Sequence, residues 1–319
     1  MEHIEQIAQR PHPMGSEEIV AVRSYLTDEL EAMGLEVDLQ TTRVPDYFAG
    51  TGTVDLVNVI GWIRGLRNTK AVVLMAHYDT HPATPGANDN SAAVAVLLEA
   101  ARALQAGQPL ANDVVFLFTD GEEPSPQYGS NAFAAVPQLL DSVGLVVNFE
   151  ALGSTGASML VEVSGPEAWL VDQLAVTSAP AAFSFNTQLA RLLGEIGTDF
   201  DVFREAGVPG FHFAYARGSP IYHTAADDVA SVDPGSVQHH GMHAVAIARH
   251  FGDLDLTDVP EESRTVYFTL GSSLVRYSTA WAGVLVVVAV VGLAWAASRR
   301  SVAGVLRAMG ATALGVLAG

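Results

Sequence analysis

Apolar residues in the first 252 positions form two kinds of pattern, helical spacing and short continuous runs. They recur at helical spacing from Ser16 to Met33, with Ser16 placed to cap the helix and Gly34 to end it. Further helical stretches are Ser91–Ala106, roughly Glu167–Ser178 and Pro234–His250. The continuous runs, typical of strands buried on both faces, are Val54–Ile63, Ala71–Ala76, Val114–Thr119 and Leu145–Phe149. Strands alternating with helices predict a three-layer α/β/α sandwich with a mostly parallel central sheet.

The chain changes character after this predicted domain, residues 1–252. Residues 253–276 have the composition of a linker with an amphipathic end. Residues 277–298 are predicted to form a transmembrane helix, because the 21 residues from 278 to 298 are uncharged and largely apolar. The alternative, a buried core helix, is rarely this apolar on every face. Residues 301–319 are expected to be the start of a second, truncated membrane segment.

The arginines near the predicted span indicate its orientation. Arg299, Arg300 and Arg307 lie in the short loop after it, whereas Arg264 and Arg276 precede it. The positive-inside rule places that loop in the cytoplasm and residues 1–276 on the extracytoplasmic side. Because the N-terminal sequence MEHIEQIAQRPHPMGSEE is neither a signal nor an anchor, we expect an upstream segment to precede it.

Composition excludes several classes of function. The chain of 319 residues has no cysteine, which rules out disulfides, Cys-ligated zinc, iron–sulfur clusters and thiol catalysis. Its net charge of −19 argues against nucleic-acid binding and against a polybasic membrane-surface patch. The sequence has no HExxH helix and no GxSxG motif, which argues against thermolysin-like and serine-hydrolase sites.

Five short islands each offer metal-ligand side chains, and several of them directly follow a predicted strand. They contain His77, Asp89, the pair Glu122–Glu123, Glu150 and His223. Oxygen and imidazole ligands without thiolate suit zinc or a similar divalent ion. Two imidazoles and three or more carboxylates are too many for one four-coordinate zinc that keeps a water. They fit two ions that share a bridging carboxylate, an arrangement used to hydrolyse amides.

The ordered motifs AHYDTH, GANDNSAAV, TDGEEPSPQYGS, NFEALGSTG, GTDFDVF and YHTAADD resemble those of the M28 family of zinc-dependent aminopeptidases. The resemblance covers about residues 3–252. The following YFTLGSSLVRYS and the apolar segment look like the membrane-anchored branch of that family, which includes the endoplasmic-reticulum metallopeptidase and the vacuolar membrane protease.

The resemblance implies a zinc aminopeptidase fold with two Zn²⁺ per chain. By the family pattern, one ion is held by His77, Asp89 and Glu150. The other ion is held by Asp89, Glu123 and His223, so that Asp89 bridges the pair. The implied activity is removal of N-terminal residues from a peptide substrate with a free N-terminus, through a hydroxide that bridges the metals.

Two further side chains are expected to assist the reaction. The resemblance makes Glu122 the general base, while its neighbour Glu123 binds metal. Asp79 lies two residues after His77 and is placed to orient that imidazole, as metal-bound histidines usually require.

Other functions remain open from the sequence. One alternative is a dipeptidase or carboxypeptidase on a related scaffold, and another is a glutaminyl-cyclase-like acyl transferase with one zinc. A third is a non-catalytic membrane receptor or scaffold, although such relatives usually lose ligands or the base. The expected partners are a peptide substrate and membrane lipid around the C-terminal segment; the oligomeric state is unknown.

Overall fold

The computed structural model of the chain describes residues 1–123, 127–177, 181–194, 197–261 and 263–299. Its strands are β1 (Glu36–Pro45), β2 (Thr53–Ile63), β3 (Ala71–His77), β4 (Val114–Thr119), β5 (Val143–Ala151), β6 (Met159–Ser164), β7 (Ala181–Ala182), β8 (Gly210–Tyr215), β9 (Thr265–Leu270) and β10 (Ser273–Ser278). Its helices are α1 (Glu2–Ile7), α2 (Glu17–Ala32), α3 (Ala93–Gln105), α4 (Tyr128–Ala134), α5 (Pro137–Ser142), α6 (Glu167–Thr177), α7 (Ser184–Leu193), α8 (Asp199–Glu205), α9 (Pro234–Phe251) and α10 (Thr279–Ser298). Short irregular helical turns are Ala87–Ala92, Ser219–Ile221 and Val229–Ser231.

Eight strands form one mixed sheet in the order β1-β2-β4-β3-β5-β8-β6-β7. The four central strands β4, β3, β5 and β8 are parallel to one another. Antiparallel pairs flank them, β1 with β2 and β2 with β4 on one side, and β6 with β8 on the other. The predicted α/β sandwich with a mostly parallel sheet is confirmed, and its antiparallel pairs lie towards the edges.

Alternate residues of the central strands face two separate layers of helices. Val72 and Leu74 of β3 belong to a large apolar cluster with α2, α3, α6 and α9. Val73 and Met75 point to the opposite face and belong to a smaller cluster with residues of α4 and α8, including Phe133. Because both faces are covered, the central strands read as continuous apolar runs in the sequence.

The predicted helix at Ser16–Met33 is confirmed as α2. The Ile19 amide donates to Ser16 Oγ at 3.1 Å, so Ser16 caps the helix. Gly34 follows the helix with φ +82°, a conformation that glycine adopts without strain. The helix predicted from Ser91 begins instead at Ala93, because the residues before it form the irregular turn Ala87–Ala92.

The segment predicted as a linker contains a β-hairpin. Strands β9 and β10 pair antiparallel. Tyr267 and Leu274 of this hairpin are buried in the larger apolar cluster, so the hairpin is part of the domain core. One face of the hairpin is exposed, which explains why its sequence has the amphipathic pattern predicted for the end of a linker.

Helix α10 follows the hairpin directly. Within the described residues it is the one helix long and apolar enough to cross a membrane, and its stretch Thr279–Ala296 is not buried by the rest of the chain. It fits the predicted transmembrane helix. The second membrane segment predicted at 301–319 lies outside the described residues.

Candidate metal centre

Most of the predicted site side chains lie at one edge of the central sheet. His77 ends β3, Glu122 and Glu123 follow β4, Glu150 is near the end of β5, and His223 lies in the loop after β8. Since β4, β3, β5 and β8 are parallel neighbours, their carboxyl ends bring these side chains together.

Asp89 completes the site from the irregular turn between β3 and α3. The peptide bond that follows it, Asp89–Asn90, is cis. Asp89 does not act as a helix cap, because α3 begins later, at Ala93, and its first turn has no side-chain cap. The Asp89 carboxylate instead lies between His77 and His223.

Two groups of three ligand atoms share Asp89. In the first trio, His77, Asp89 and Glu150, the Nε2 atom of His77 lies 3.2 Å from Asp89 Oδ1 and 3.3 Å from Glu150 Oε2. In the second trio, Asp89, Glu123 and His223, the Nε2 atom of His223 lies 3.3 Å from Asp89 Oδ2 and 3.1 Å from Glu123 Oε2. Each trio therefore uses a different oxygen of Asp89.

The donor set fits divalent metal ions. Within each trio the ligand atoms lie within 4.8 Å of one another. In the described part of the chain, Asp89 Oδ2 and His223 Nε2 are buried and make no hydrogen bond. Buried polar atoms of this kind are costly unless they have a partner. Carboxylate oxygen and imidazole nitrogen are ligands that zinc accepts.

Two glutamates of the site, Glu122 and Glu150, have raised pKa values, because their carboxyl groups are buried close to other carboxyl groups. Burial raises the pKa of Glu122 well above its ordinary value, and the charges of Glu150 and Asp199 raise it further despite the opposing effect of His77. Burial also raises the pKa of Glu150 to about 7. Without a cation these buried carboxyl groups tend to hold protons, and a divalent ion would favour their ionised forms.

The imidazoles respond in the opposite sense. Burial alone would lower the pKa of His77, but Glu150 and Glu122 outweigh burial, and the pKa lies well above its ordinary value. Burial likewise opposes the change at His223, where the adjacent carboxylates of Asp89 and Glu123 raise the pKa to about 9. Both rings are therefore surrounded by negative charge, as expected at a cation site.

Asp79 links His77 to the glutamate loop. His77 Nδ1 lies 3.0 Å from the Asp79 carbonyl oxygen and 3.5 Å from carboxylate Oδ1, so the hydrogen bond that orients the ring goes to the carbonyl. The Asp79 carboxylate accepts the backbone amides of Glu122, at 3.0 Å, and Glu123, at 3.3 Å. Asp79 thus positions the predicted base as well as the predicted ligand.

Glu150 is held by two amide side chains that sequence reasoning missed. Asn90 Nδ2 donates to Glu150 Oε2 at 2.8 Å and to the Phe149 carbonyl at 2.9 Å. Asn148 Nδ2 lies 3.2 Å from Glu150 Oε1 and 3.2 Å from His212 Nδ1. The sequence signal for these two residues was their position near predicted ligands. Asn90 follows Asp89, and Asn148 lies two residues before Glu150.

Asp227 holds the turn that carries Asp89. Its Oδ1 accepts the Asn88 amide and Asn88 Nδ2, both at 2.8 Å, and its Oδ2 accepts the Asp89 amide at 3.1 Å. Tyr215 Oη donates to Asn88 Oδ1 at 3.0 Å from the other side. Asp227 lies four residues after His223 in the same motif, so one loop supplies both a ligand and the clamp on the shared carboxylate.

Three further residues border the site without joining either trio. Asp199 is buried and accepts a short hydrogen bond from Thr119. The His81 amide donates to Glu123 Oε1 at 2.8 Å, and its ring stacks on His223 with centroids 5.0 Å apart. Tyr222 stacks on His223 at 3.8 Å and is 37% exposed, so it faces the open side of the second trio.

The chain matches a known protein family. Residues 58–248 match the family description "Peptidase family M28", which covers more than half of the chain. The chain belongs to peptidase family M28. The match contains both trios, Glu122 and Asp79, and M28 is a family of zinc metallopeptidases.

Relatives from the membrane-anchored branch of the M28 family are similar to this chain, as the sequence motifs predicted. Endoplasmic reticulum metallopeptidase 1 of Rattus norvegicus is 30% identical over 87% of this chain, and its human counterpart is 28% identical over 92%. Vacuolar membrane protease of Candida albicans is 29% identical over 83%. The matches cover 33%, 35% and 31% of these relatives, so the chain spans about a third of their length.

Several solved structures share the fold of this chain. An aminopeptidase from Aneurinibacillus sp. strain AM-1 superposes with a TM-score of 0.65 at 15% identity, covering 82% of this chain and 96% of that one. Fimbriiglobus ruber glutaminyl cyclase gives 0.63 at 20% identity, covering 79% and 93%. A Zn-dependent exopeptidase from Parabacteroides distasonis gives 0.61 at 19% identity, covering 78% and 96%.

Proposed function

We propose that the chain is a co-catalytic di-zinc peptidase whose metals are held by the two trios. The observation that carries this proposal is the position of Asp89, which offers one oxygen to each trio. A single-metal site would use one trio and leave the remaining ligand atoms of the other, from Glu150 or from the pair Glu123 and His223, without a metal. Two ions that share one carboxylate use every ligand.

Glu122 is the proposed general base. Its carboxylate belongs to neither trio, and its nearest approach to His77 Nε2 is 3.9 Å, so it borders the first trio. When bound, the zinc ions would acidify a water and polarise the scissile carbonyl. Glu122 would take a proton from the attacking water and pass it to the nitrogen that leaves when the C–N bond breaks.

The proposed substrate is a peptide with a free N-terminus. The names of the M28 relatives support peptide hydrolysis, and one solved neighbour is an aminopeptidase. A second candidate function, glutaminyl-cyclase-like acyl transfer, is favoured by the fold similarity to glutaminyl cyclases. The complete second trio favours the peptidase, because the acyl-transfer alternative requires only one zinc.

The test uses the full chain in detergent, loaded with zinc and freed of excess metal. We expect about two zinc ions per chain and hydrolysis of aminoacyl chromogenic amides that chelator abolishes. Glu122→Gln should keep both metals and lose activity by a factor of roughly 10²–10⁴. Asp89→Asn should lose metal as well. Glu31→Gln, on the exposed side of α2, is the control and should change neither.

The outcomes separate the alternatives. Two metals without hydrolysis of any free-amino substrate would indicate another amidase. One metal with cyclisation of N-terminal glutamine would indicate the acyl transferase. A folded chain that binds no zinc would indicate the non-catalytic membrane receptor or scaffold.

We further propose that the domain of residues 1–252 lies on the extracytoplasmic side of a membrane crossed by α10. The relatives named for the endoplasmic reticulum and the vacuolar membrane support a membrane-bound protein. The cationic residue Arg299, which lies over the Trp295 ring at 4.8 Å, supports a cytoplasmic end at the C-terminus of α10. Protease protection of the domain in intact vesicles tests this orientation.

A further inference from the structure

Helix α7 presents its apolar residues outward. Phe185, Leu189, Leu192 and Leu193 are 70%, 39%, 82% and 65% exposed, and we call these four residues the α7 stripe. The residues of α7 that are buried against the domain are Thr187 and Ala190. Surface helices of soluble domains normally bury the apolar face instead. This reversed arrangement needs a partner that accepts apolar side chains.

Helix α7 is fixed to the hairpin that leads into α10. Thr187 Oγ1 lies 2.7 Å from Tyr267 Oη on β9, and the Ala182 amide, just before α7, donates to Thr269 Oγ1 at 3.0 Å. Phe183 and Phe268 form an isolated bridge. These contacts attach both the start and the middle of α7 to the hairpin.

The hairpin register shows how close α7 lies to the membrane helix. Tyr267 pairs with Arg276, and Arg276 precedes Thr279, the first residue of α10, by three residues. At about 3.3 Å per strand residue, Thr187 is attached at a level roughly 10 Å along the strand from the start of α10. That distance is comparable to the depth of the headgroup region on one side of a bilayer.

The geometry points to the α7 stripe as a second membrane contact, which lies in the lipid interface beside the span formed by α10. The inference rests on α10 crossing the membrane and does not depend on peptidase activity. The binding is apolar, since the stripe contains no charged residue and the chain carries a net charge of −19, which disfavours adsorption to anionic lipid. The occupant is therefore the acyl and glycerol region of a zwitterionic bilayer.

Site-directed spin labelling tests this contact directly, because the chain contains no cysteine. Single-cysteine variants Leu192→Cys, Leu66→Cys and Val288→Cys are labelled in the full chain and placed in phosphatidylcholine nanodiscs. Leu66 is 71% exposed and follows β2, towards the other end of the sheet from β7 and α7, so it is the matched control. Val288 lies within α10 and reports the span itself.

The measured quantity is the ratio of the label's collision rate with oxygen, which concentrates in lipid, to its collision rate with a water-soluble nickel chelate. This ratio should be several-fold higher for the label at Leu192 than for the label at Leu66. High salt should not change this ratio, because apolar burial is not screened. Nickel accessibility at Leu192 equal to that at Leu66 would overturn the inference, while a lipid-exposed label at Val288 would leave the span intact. Protection of Leu192 from both reagents would also overturn it, because protein would then cover the stripe. A water-exposed label at Val288 would instead overturn the membrane span.

Discussion

Asn90 Nδ2 lies 2.8 Å from Glu150 Oε2, so the residue next to Asp89, the proposed shared ligand, also fixes the Glu150 carboxylate of the first trio. Both ends of that trio therefore depend on one short turn. The side chain of Asn90 is buried, and its contact with the Phe149 carbonyl keeps the amide from rotating away.

Replacing Asn90 should weaken metal binding more than it weakens the fold. In Asn90→Ala the Glu150 carboxylate loses a donor that orients it, and loss of such a supporting contact typically costs 10–100-fold in metal affinity. The measurement is zinc affinity by competition with a chromophoric chelator. Asn186→Ala, which removes a weak 3.4 Å contact on α7, is the control and should leave zinc affinity unchanged. Unchanged affinity in Asn90→Ala would show that Asn148 alone orients Glu150.

Asp227 should be as important for zinc binding as a ligand, although it belongs to neither trio. Asp227→Ala leaves the buried amides of Asn88 and Asp89 without their acceptor, at a cost of roughly 1–3 kcal/mol each in the free energy of unfolding. We expect lower thermal stability together with loss of zinc from the second trio. The neighbouring Asp228→Ala removes only an exposed cap of a short helical turn and should have a small effect. Equal effects of the two variants would contradict the proposed clamp.

In the metal-free domain the buried histidines should destabilise the fold as the pH falls, while the buried carboxyl groups with raised pKa, such as Glu150, act in the opposite sense. Burial lowers the pKa of His212 and His243 to about 3 and that of His240 to about 4. The unfolded chain binds these protons near pH 6.5, so the stability that these histidines contribute is complete above that value and is lost as the pH falls towards 4. Each histidine contributes a slope of about 1.4 kcal/mol per pH unit in that window.

The measurement is urea unfolding of the chelator-treated chain between pH 6.5 and 4.5, for the native sequence and for His212→Phe. The slope of the unfolding free energy should be smaller in the variant by about 1.4 kcal/mol per pH unit. Identical slopes would mean that His212 is protonated in the folded state.

Tyr267 should be required for a stable domain, because it buries an aromatic ring from a hairpin that lies outside the family match. Tyr267→Ala is expected to cost about 3–5 kcal/mol in the free energy of unfolding, as for other buried aromatics. Tyr267→Phe should cost only the hydrogen bond with Thr187, about 1 kcal/mol. Tyr277→Ala, on the partly exposed side of the same hairpin, is the matched control. Full stability of Tyr267→Ala would show the hairpin to be a detachable linker after all.

The sequence predicted the central strands β3, β4 and β5 well because burial on both faces makes them continuous apolar runs. It missed the equally buried central strand β8, whose sequence GFHFAY is interrupted by a histidine. The sequence also predicted that the candidate ligands lie at one edge of the sheet, since His77, Glu123 and Glu150 each follow or end such a run. Strand β1 was missed because it lies at the sheet edge and is largely polar, as in EVDLQTTRVP. The hairpin was missed because its pattern of half-exposed residues also fits an amphipathic connection.

The supporting residues of the site could not be predicted for a different reason. Asn90, Asn148 and Asp227 act through hydrogen bonds between segments that are distant in the sequence, such as Asp227 with Asn88, 139 residues apart. Polar side chains of this kind are common in loops, and their partners are known only when the backbone has brought the segments together. Ligands follow strands and are therefore easier to find than the groups that orient them.

The direct connection of β10 to α10 affects how substrates can reach the site. Ser278 ends the strand and Thr279 begins the helix, with no intervening residue, while β9 is tied into the core through Tyr267. With α10 in a bilayer, the domain stands on a short stiff stem and not on a flexible tether. The proposed metal centre is then held at one height above the lipid. If the proposed aminopeptidase activity holds, peptides free in solution can approach this centre from any direction, whereas a substrate anchored in the same membrane must offer its terminus at that height.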